Sequence, residues 1–183
     1  MVVKRRLPGG ATGSAAAWVA AVDRRGGLLL DSHCRPDLPP GARCIGGVRP
    51  EDYAAAPPAG RVAEQVAQLL RGRLLVGHGL AKDLAALGLG GAPGLCQYDT
   101  MAFPPFQNAA GNARSLAALA AQHLQVRQLQ APGRPHDPRV DAAAAMRLYV
   151  LLVEPARLTY EQTVAVMTAQ MLAAAGTADR AGE

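Results

Sequence analysis

The chain of 183 residues is half hydrophobic and has a formal net charge of +5 and a pI near 9.6. This length allows one substantial core, so we expect a single main domain, and nearly all the positive charge comes from arginine. A basic balance favours an anionic partner without naming it, and the scattered charges fit a solvated surface as well as a nucleic-acid path. The three cysteines are widely spaced without a Cys-x-x-Cys pattern, which indicates neither a disulfide framework nor a zinc site.

The first 25 residues are basic, contain a short apolar stretch and have no acidic residue before Asp23. A targeting peptide has this pattern, so organellar targeting stays open. Residues 15–22 and 28–34 also read as the strands of a β-hairpin that turns at residues 24–27, and we favour this interpretation. The apolar segment at residues 158–176 contains Glu161 and predicts an amphipathic helix rather than a membrane span.

After the hairpin comes a long loop rich in proline and glycine, followed by alternating strands and helices. The patterns predict helices at 59–72, 81–88, 113–124, 138–153 and 157–175, and strands at 73–79 and 94–103. This order indicates an α/β sandwich around a mixed sheet. We divide the chain into a domain at residues 1–153 and a C-terminal helix and tail at residues 154–183.

Two helix starts carry candidate site residues. Asp137 can cap a helix whose first turn contains Pro138, which leaves His136, just before the cap, and Asp141, one turn in, without a local structural role. Asp83 follows a buried strand, at the sheet edge where open α/β sheets bind ligands, although an aspartate in a first turn also favours the helix dipole. The histidine that ends this strand, His78, is interpreted as a hydrogen-bonded core residue.

These residues and their flanking segments resemble the DEDDh branch of 3′–5′ exonucleases. Within that branch they are similar to the RNA exonucleases that include ribosomal-RNA-processing and interferon-stimulated members. The matching segments run in the family's order over residues 18–150 and include LLVGHGLAKDL, YDT and HDPRVDAAAAMRLY. The resemblance implies a ribonuclease H-like three-layer fold of the α/β class with a mixed central sheet.

The resemblance also implies a function and a site. It assigns Asp83 and Asp141 to metal binding and His136 to the role of general base, with Met1 and Arg43 as candidates for nucleic-acid contact. Two Mg²⁺ or Mn²⁺ ions would support hydrolysis from the 3′ end, while the histidine takes a proton from the attacking water. The implied partner is nucleic acid, RNA before DNA, with no membrane. The implied location is nuclear or nucleolar, and the oligomeric state stays open.

The start of the chain departs from the family pattern. Relatives begin with a central strand that carries Asp-x-Glu followed by Met-Val, whereas this chain begins Met-Val-Val and has no acid before Asp23. We therefore expect the first strand to be truncated. Each buried backbone group left unpaired beside it would cost about 1–3 kcal/mol.

Three explanations stay open: an incomplete gene model or alternative start, a degenerate exonuclease that retains binding, or a different segment in the central position. The alternative function is therefore a catalytically inactive or truncated nucleic-acid-binding module in RNA processing.

Overall fold

A computed structural model describes residues 2–6, 12–36, 43–45, 50–127, 129 and 136–180. The strands are β1 (Val2–Arg6), β2 (Thr12–Ala16), β3 (Trp18–Val22), β4 (Leu28–His33), β5 (Arg43–Ile45), β6 (Leu75–Gly77) and β7 (Gln97–Asp99). The helices are α1 (Pro50–Tyr53), α2 (Ala59–Leu69), α3 (Leu80–Ala86), α4 (Leu116–His123), α5 (Pro138–Leu148) and α6 (Glu154–Arg180).

The described strands form three ladders. One is antiparallel with the order β2-β1-β5, the second is the antiparallel β3–β4 hairpin, and the third is the parallel pair β6–β7. The predicted α/β class, with antiparallel and parallel pairing in one chain, is therefore present. The strands β1 and β5 and the short helix α1 were not predicted.

The β3–β4 hairpin turns where the sequence predicted. One carboxylate oxygen of Asp23 accepts hydrogen bonds from the backbone N–H groups of Arg25 at 2.8 Å and Gly27 at 2.7 Å. Gly26 has a φ of 87°, a conformation that glycine adopts at no steric cost. The predicted first strand was too long, because Ala17 separates β2 from β3 and residues 15–16 belong to β2.

Helices lie on both faces of β3. Val62 of α2 packs in a small core with Ala16 and Cys34, against which Val19 of β3 lies. The next residue back along β3, Trp18, contacts Arg139 of α5, as expected when successive side chains point to opposite faces. The main core joins α4 and α5 to the turns after β7, and it contains Phe106, Leu116, Leu119, Ala120, Leu129, Ala144, Ala145, Leu148, Tyr149 and Val153.

Among the described residues, the hairpin and the parallel pair share no strand pairing. Helix α5 packs against both β3 and β6, but β3 pairs only with β4, and β6 only with β7, among the described residues. The truncation of the central strand stays a prediction. Val2 and Val3, which the sequence analysis took for the end of that strand, lie in β1 and pair with Ala16 and Ala15 of β2.

The C-terminal helix begins earlier than predicted. A π-helical turn at Tyr149–Val153 joins α5 to α6, and the N–H of Glu154 donates to the carbonyl of Tyr149, five residues back. The sequence analysis predicted separate helices at residues 138–153 and 157–175, whereas the chain is helical through residues 154–156. The domain boundary at residue 153 stays a prediction.

An ion pair fixes the start of α6 to the hairpin. The guanidinium of Arg24, in the β3–β4 turn, lies 2.5 Å from the carboxylate of Glu154.

Among the described residues, no helix combines the length and the apolar character needed to cross a membrane.

Candidate active site

The start of α5 brings two predicted site residues together. Asp137 caps the helix as expected, since its Oδ1 accepts a hydrogen bond of 2.9 Å from the backbone N–H of Arg139. Pro138 is the first helical residue and is buried. His136 precedes the cap, and its Nδ1 lies 3.7 Å from Oδ2 of Asp141, one turn into the helix. Both side chains reach solvent, so this pair faces the surface above the helix N-terminus.

The third predicted residue, Asp83, lies in the first turn of α3. A different aspartate holds that turn in place. One oxygen of Asp99 accepts from the N–H groups of Gly79 at 2.9 Å and Met101 at 3.0 Å, and the other accepts from Leu80 at 2.8 Å. The sequence analysis gave Asp99 no role, although it lies in the quoted YDT segment. The carboxylate at the end of β7 thus fixes the helix that carries Asp83.

His78 is hydrogen-bonded, as predicted, but it is only partly buried and does not belong to the core. Its Nδ1 lies 2.9 Å from the hydroxyl oxygen of Thr100, and its Nε2 lies 2.9 Å from the carbonyl oxygen of Arg114. Thr100 is fully buried and donates to the carbonyl of Gly77. The imidazole therefore joins the end of β6 to the turn after β7 and to the chain before α4.

Like charges meet at this edge of the sheets. Loss of hydration inside the protein raises the pKa of the Asp83 carboxyl, and the negative charges of Asp99 and Asp141 raise it further. Asp83 still reaches solvent, so the energetic cost of its ionisation is modest. The charges of Asp99 and Asp141 thus act on Asp83, and a carboxyl whose pKa is shifted in this way is common at functional sites.

The described residues supply only part of a metal site. Carboxylate oxygens are the ligands that Mg²⁺ and Mn²⁺ prefer, so Asp83 and Asp141 fit such an ion chemically. Within the described ranges, however, no group of three or more His, Cys, Asp or Glu side chains lies close enough to hold a metal. Asp99 already uses both oxygens on backbone N–H groups.

The structure does not test the two residues that were predicted to contact nucleic acid. Met1 lies outside the described residues, and Arg43 is the first residue of β5, where the backbone alone is described.

Three curated proteins named RNA exonuclease 4 are similar in sequence. The chain is 37% identical to that of Mus musculus over 142 residues, which are 76% of this chain and 32% of the mouse protein. The human protein is 34% identical over 144 residues, with coverages of 76% and 33%, and the Cryptococcus neoformans protein is 35% identical over 137 residues, with coverages of 74% and 33%. The chain thus spans about a third of the length of these relatives. No family model matches it.

Solved structures of Pan2 share the fold. The pseudoubiquitin hydrolase-RNA exonuclease module of Saccharomyces cerevisiae Pan2, in complex with AACCAA RNA, superposes with a TM-score of 0.61 and 22% identity, over 83% of this chain and 28% of that one. The catalytic unit of Neurospora crassa Pan2 gives a TM-score of 0.60 and 19% identity, over 90% and 28%. The predicted ribonuclease H-like fold is confirmed.

We expect Asp99→Ala to destabilise the protein by about 1–3 kcal/mol, because the N–H groups at the start of α3 lose their acceptors. Asp99→Asn retains one acceptor oxygen in the same space and should lose less. Urea denaturation of both variants checks this. Equal stability of Asp99→Ala and the wild type would mean that water replaces the carboxylate without cost.

Asp83→Asn should change stability in a pH-dependent direction. The folded-state pKa of Asp83 is raised above its unfolded value, so the wild type loses stability as pH rises through the folded pKa and the carboxyl ionises. In metal-free buffer the variant should therefore melt slightly above the wild type at pH 7, and the difference should shrink towards pH 4. A difference that grows on acidification would contradict this.

Proposed function

Because the chain belongs to the DEDDh RNA-exonuclease family, we propose that it is a metal-dependent 3′–5′ exonuclease that hydrolyses RNA and releases nucleotides from the 3′ end. The observation that carries this proposal is the meeting of His136 and Asp141 at the start of α5, with Asp83 in their electrostatic neighbourhood. The names of the relatives and the RNA in the yeast Pan2 complex support RNA as the substrate ahead of DNA.

In this proposal Asp83 and Asp141 hold Mg²⁺ or Mn²⁺ together with further acidic ligands, and two ions are expected. Such ions supply charge stabilisation for the phosphate and activation of water. His136 has its Nδ1 towards Asp141, so its Nε2 is the atom that takes the proton from the attacking water.

The remaining ligands would come from an extended segment that carries Asp-x-Glu between β3 and β6. Among the described strands, β3 pairs only with β4 and β6 only with β7, so each has one unpaired edge. This supports the proposal, because a strand between them would gain hydrogen bonds on both sides. Successive acids in an Asp-x-Glu strand point to the same face, which would direct both towards one site.

The second candidate is a nucleic-acid-binding module without catalysis. Two observations favour it: the described residues do not complete a metal site, and the chain is basic. Titration of the 183-residue chain with Mn²⁺ separates the two, because micromolar binding would count against an inert module. A nuclear or nucleolar location is part of both proposals.

If the roles are correct, His136→Ala in an active form should lower kcat by about 100-fold or more and leave RNA affinity nearly unchanged. Asp83→Asn and Asp141→Asn should each abolish metal-dependent hydrolysis without unfolding the protein. Single-turnover rates on a labelled RNA, with affinity measured separately, test all three. Unchanged activity in any variant would remove that residue from the site.

A second experiment tests the central strand. Extending the chain at its N-terminus by about ten residues that end in Asp-x-Glu should raise the melting temperature and also produce Mg²⁺-dependent release of mononucleotides. An extension that ends in Asn-x-Gln is the matched control, which should stabilise without activity. Full exonuclease activity of the 183-residue chain would overturn this part, because another acid would then complete the site.

A further inference from the structure

The guanidinium of Arg139 connects the start of α5 to the β3–β4 hairpin. Its Nε and Nη2 donate to the two carboxylate oxygens of the helix cap, Asp137, at 3.0 and 2.6 Å. Its Nη1 lies 3.6 Å from the carboxylate of Asp31 in β4. Its Cζ lies 5.1 Å from the ring centroid of Trp18 in β3. One side chain therefore contacts the helix cap and both strands of the hairpin.

The hairpin side of this contact is itself ordered by side-chain interactions. The indole N–H of Trp18 donates to Asp31 at 2.7 Å, and its ring stacks on His33 with centroids 4.6 Å apart and planes 19° from parallel. Trp18 and His33 are paired in the β3–β4 register. Arg139 thus meets a ring and a carboxylate that are already held in place.

A single half-exposed ion pair contributes little to stability. Arg139 differs because its planar fork matches the carboxylate of Asp137 with two hydrogen bonds while the same group stacks near an indole. A lysine has the charge but neither the fork nor the planar surface. The contacts act at the first turn of α5, beside His136 and two residues before Asp141.

We propose that Arg139 is a positioning residue that fixes the first turn of α5 on the hairpin and so sets the place of His136 and Asp141. This role rests on the proposed function, because it concerns the same histidine and aspartate. Arg139 acts through the cap and the hairpin and does not itself touch RNA.

The first test uses the 183-residue chain and needs no activity. The backbone N–H groups of residues 139 and 141 donate to the side chain and the carbonyl of Asp137. In Arg139→Ala, these two N–H groups should exchange with solvent about tenfold faster. The ring signals of His136, assigned by their loss in His136→Ala, should shift and broaden. Arg147→Ala, which removes an exposed arginine from the same helix, is the control and should change neither. Arg139→Lys should give most of the effect of Arg139→Ala.

The second test measures RNA hydrolysis in whichever form of the chain is active, as found or extended. Arg139→Ala should lower kcat about tenfold with an unchanged KM, and should add less than about twofold to the loss in His136→Ala. A raised KM with an unchanged kcat would overturn the inference, because Arg139 would then bind RNA directly. Unchanged exchange and unchanged His136 signals would also overturn it, whatever the activity.

The two tests separate this inference from the proposed function. If every form is inactive and Arg139→Ala still loosens the first turn of α5, the proposed function is wrong. Arg139 then holds the helix start in place without any effect on catalysis. If the wild type hydrolyses RNA and Arg139→Ala leaves kcat unchanged, the proposed function holds and the positioning role is wrong.

Discussion

The packing of α5 against two strand pairs that share no ladder in the described part of the chain is the constraint on which the fold depends. The helix lies on β3 of the hairpin and on β6 of the parallel pair. Its buried face contains Ala144, Ala145 and Leu148, and the two small side chains allow the helix to approach closely. In a continuous sheet, backbone hydrogen bonds would fix the two pairs relative to each other. Here the packing of α5, together with the contacts of α3 with β1 and β2, sets their relation.

The candidate site depends on this arrangement because its residues lie at the starts of two helices, α3 and α5, which different strand pairs hold in place. Asp83 is placed by the parallel pair through Asp99, and His136 and Asp141 are placed by the hairpin through Arg139. Loss of hydration, and then the negative charges of Asp99 and Asp141, raise the pKa of the Asp83 carboxyl and disfavour its ionised form. A group of like charges that the fold holds together at a cost is typical of a site that binds a cation.

The sequence predicted the elements whose signals are local. The hairpin, the two helix starts and the cap at Asp137 each follow from a short pattern of turn, apolar or capping residues. The pairing of β1 with β5 joins segments about forty residues apart, and no local pattern encodes it. The same holds within the site. Asp99 reaches α3 across twenty residues, and Arg139 reaches Asp31 across more than a hundred, so neither contact was predictable from its own neighbourhood.

In the described part of the chain, β3 and β6 each have an unpaired edge, and the metal ligands are incomplete. One missing segment would account for both observations. A strand has two hydrogen-bonding edges in the plane of the sheet and two faces perpendicular to it. One extended segment between β3 and β6 would therefore satisfy both sheet edges with its backbone while its alternate side chains point towards α5, where Asp141 lies. Folding and metal binding would then be linked, because the same segment supplies hydrogen bonds to both strand pairs and acids to the cation. Such linkage makes a cation stabilise the sheet as a whole, since its ligands would join β6, α5 and the strand between them.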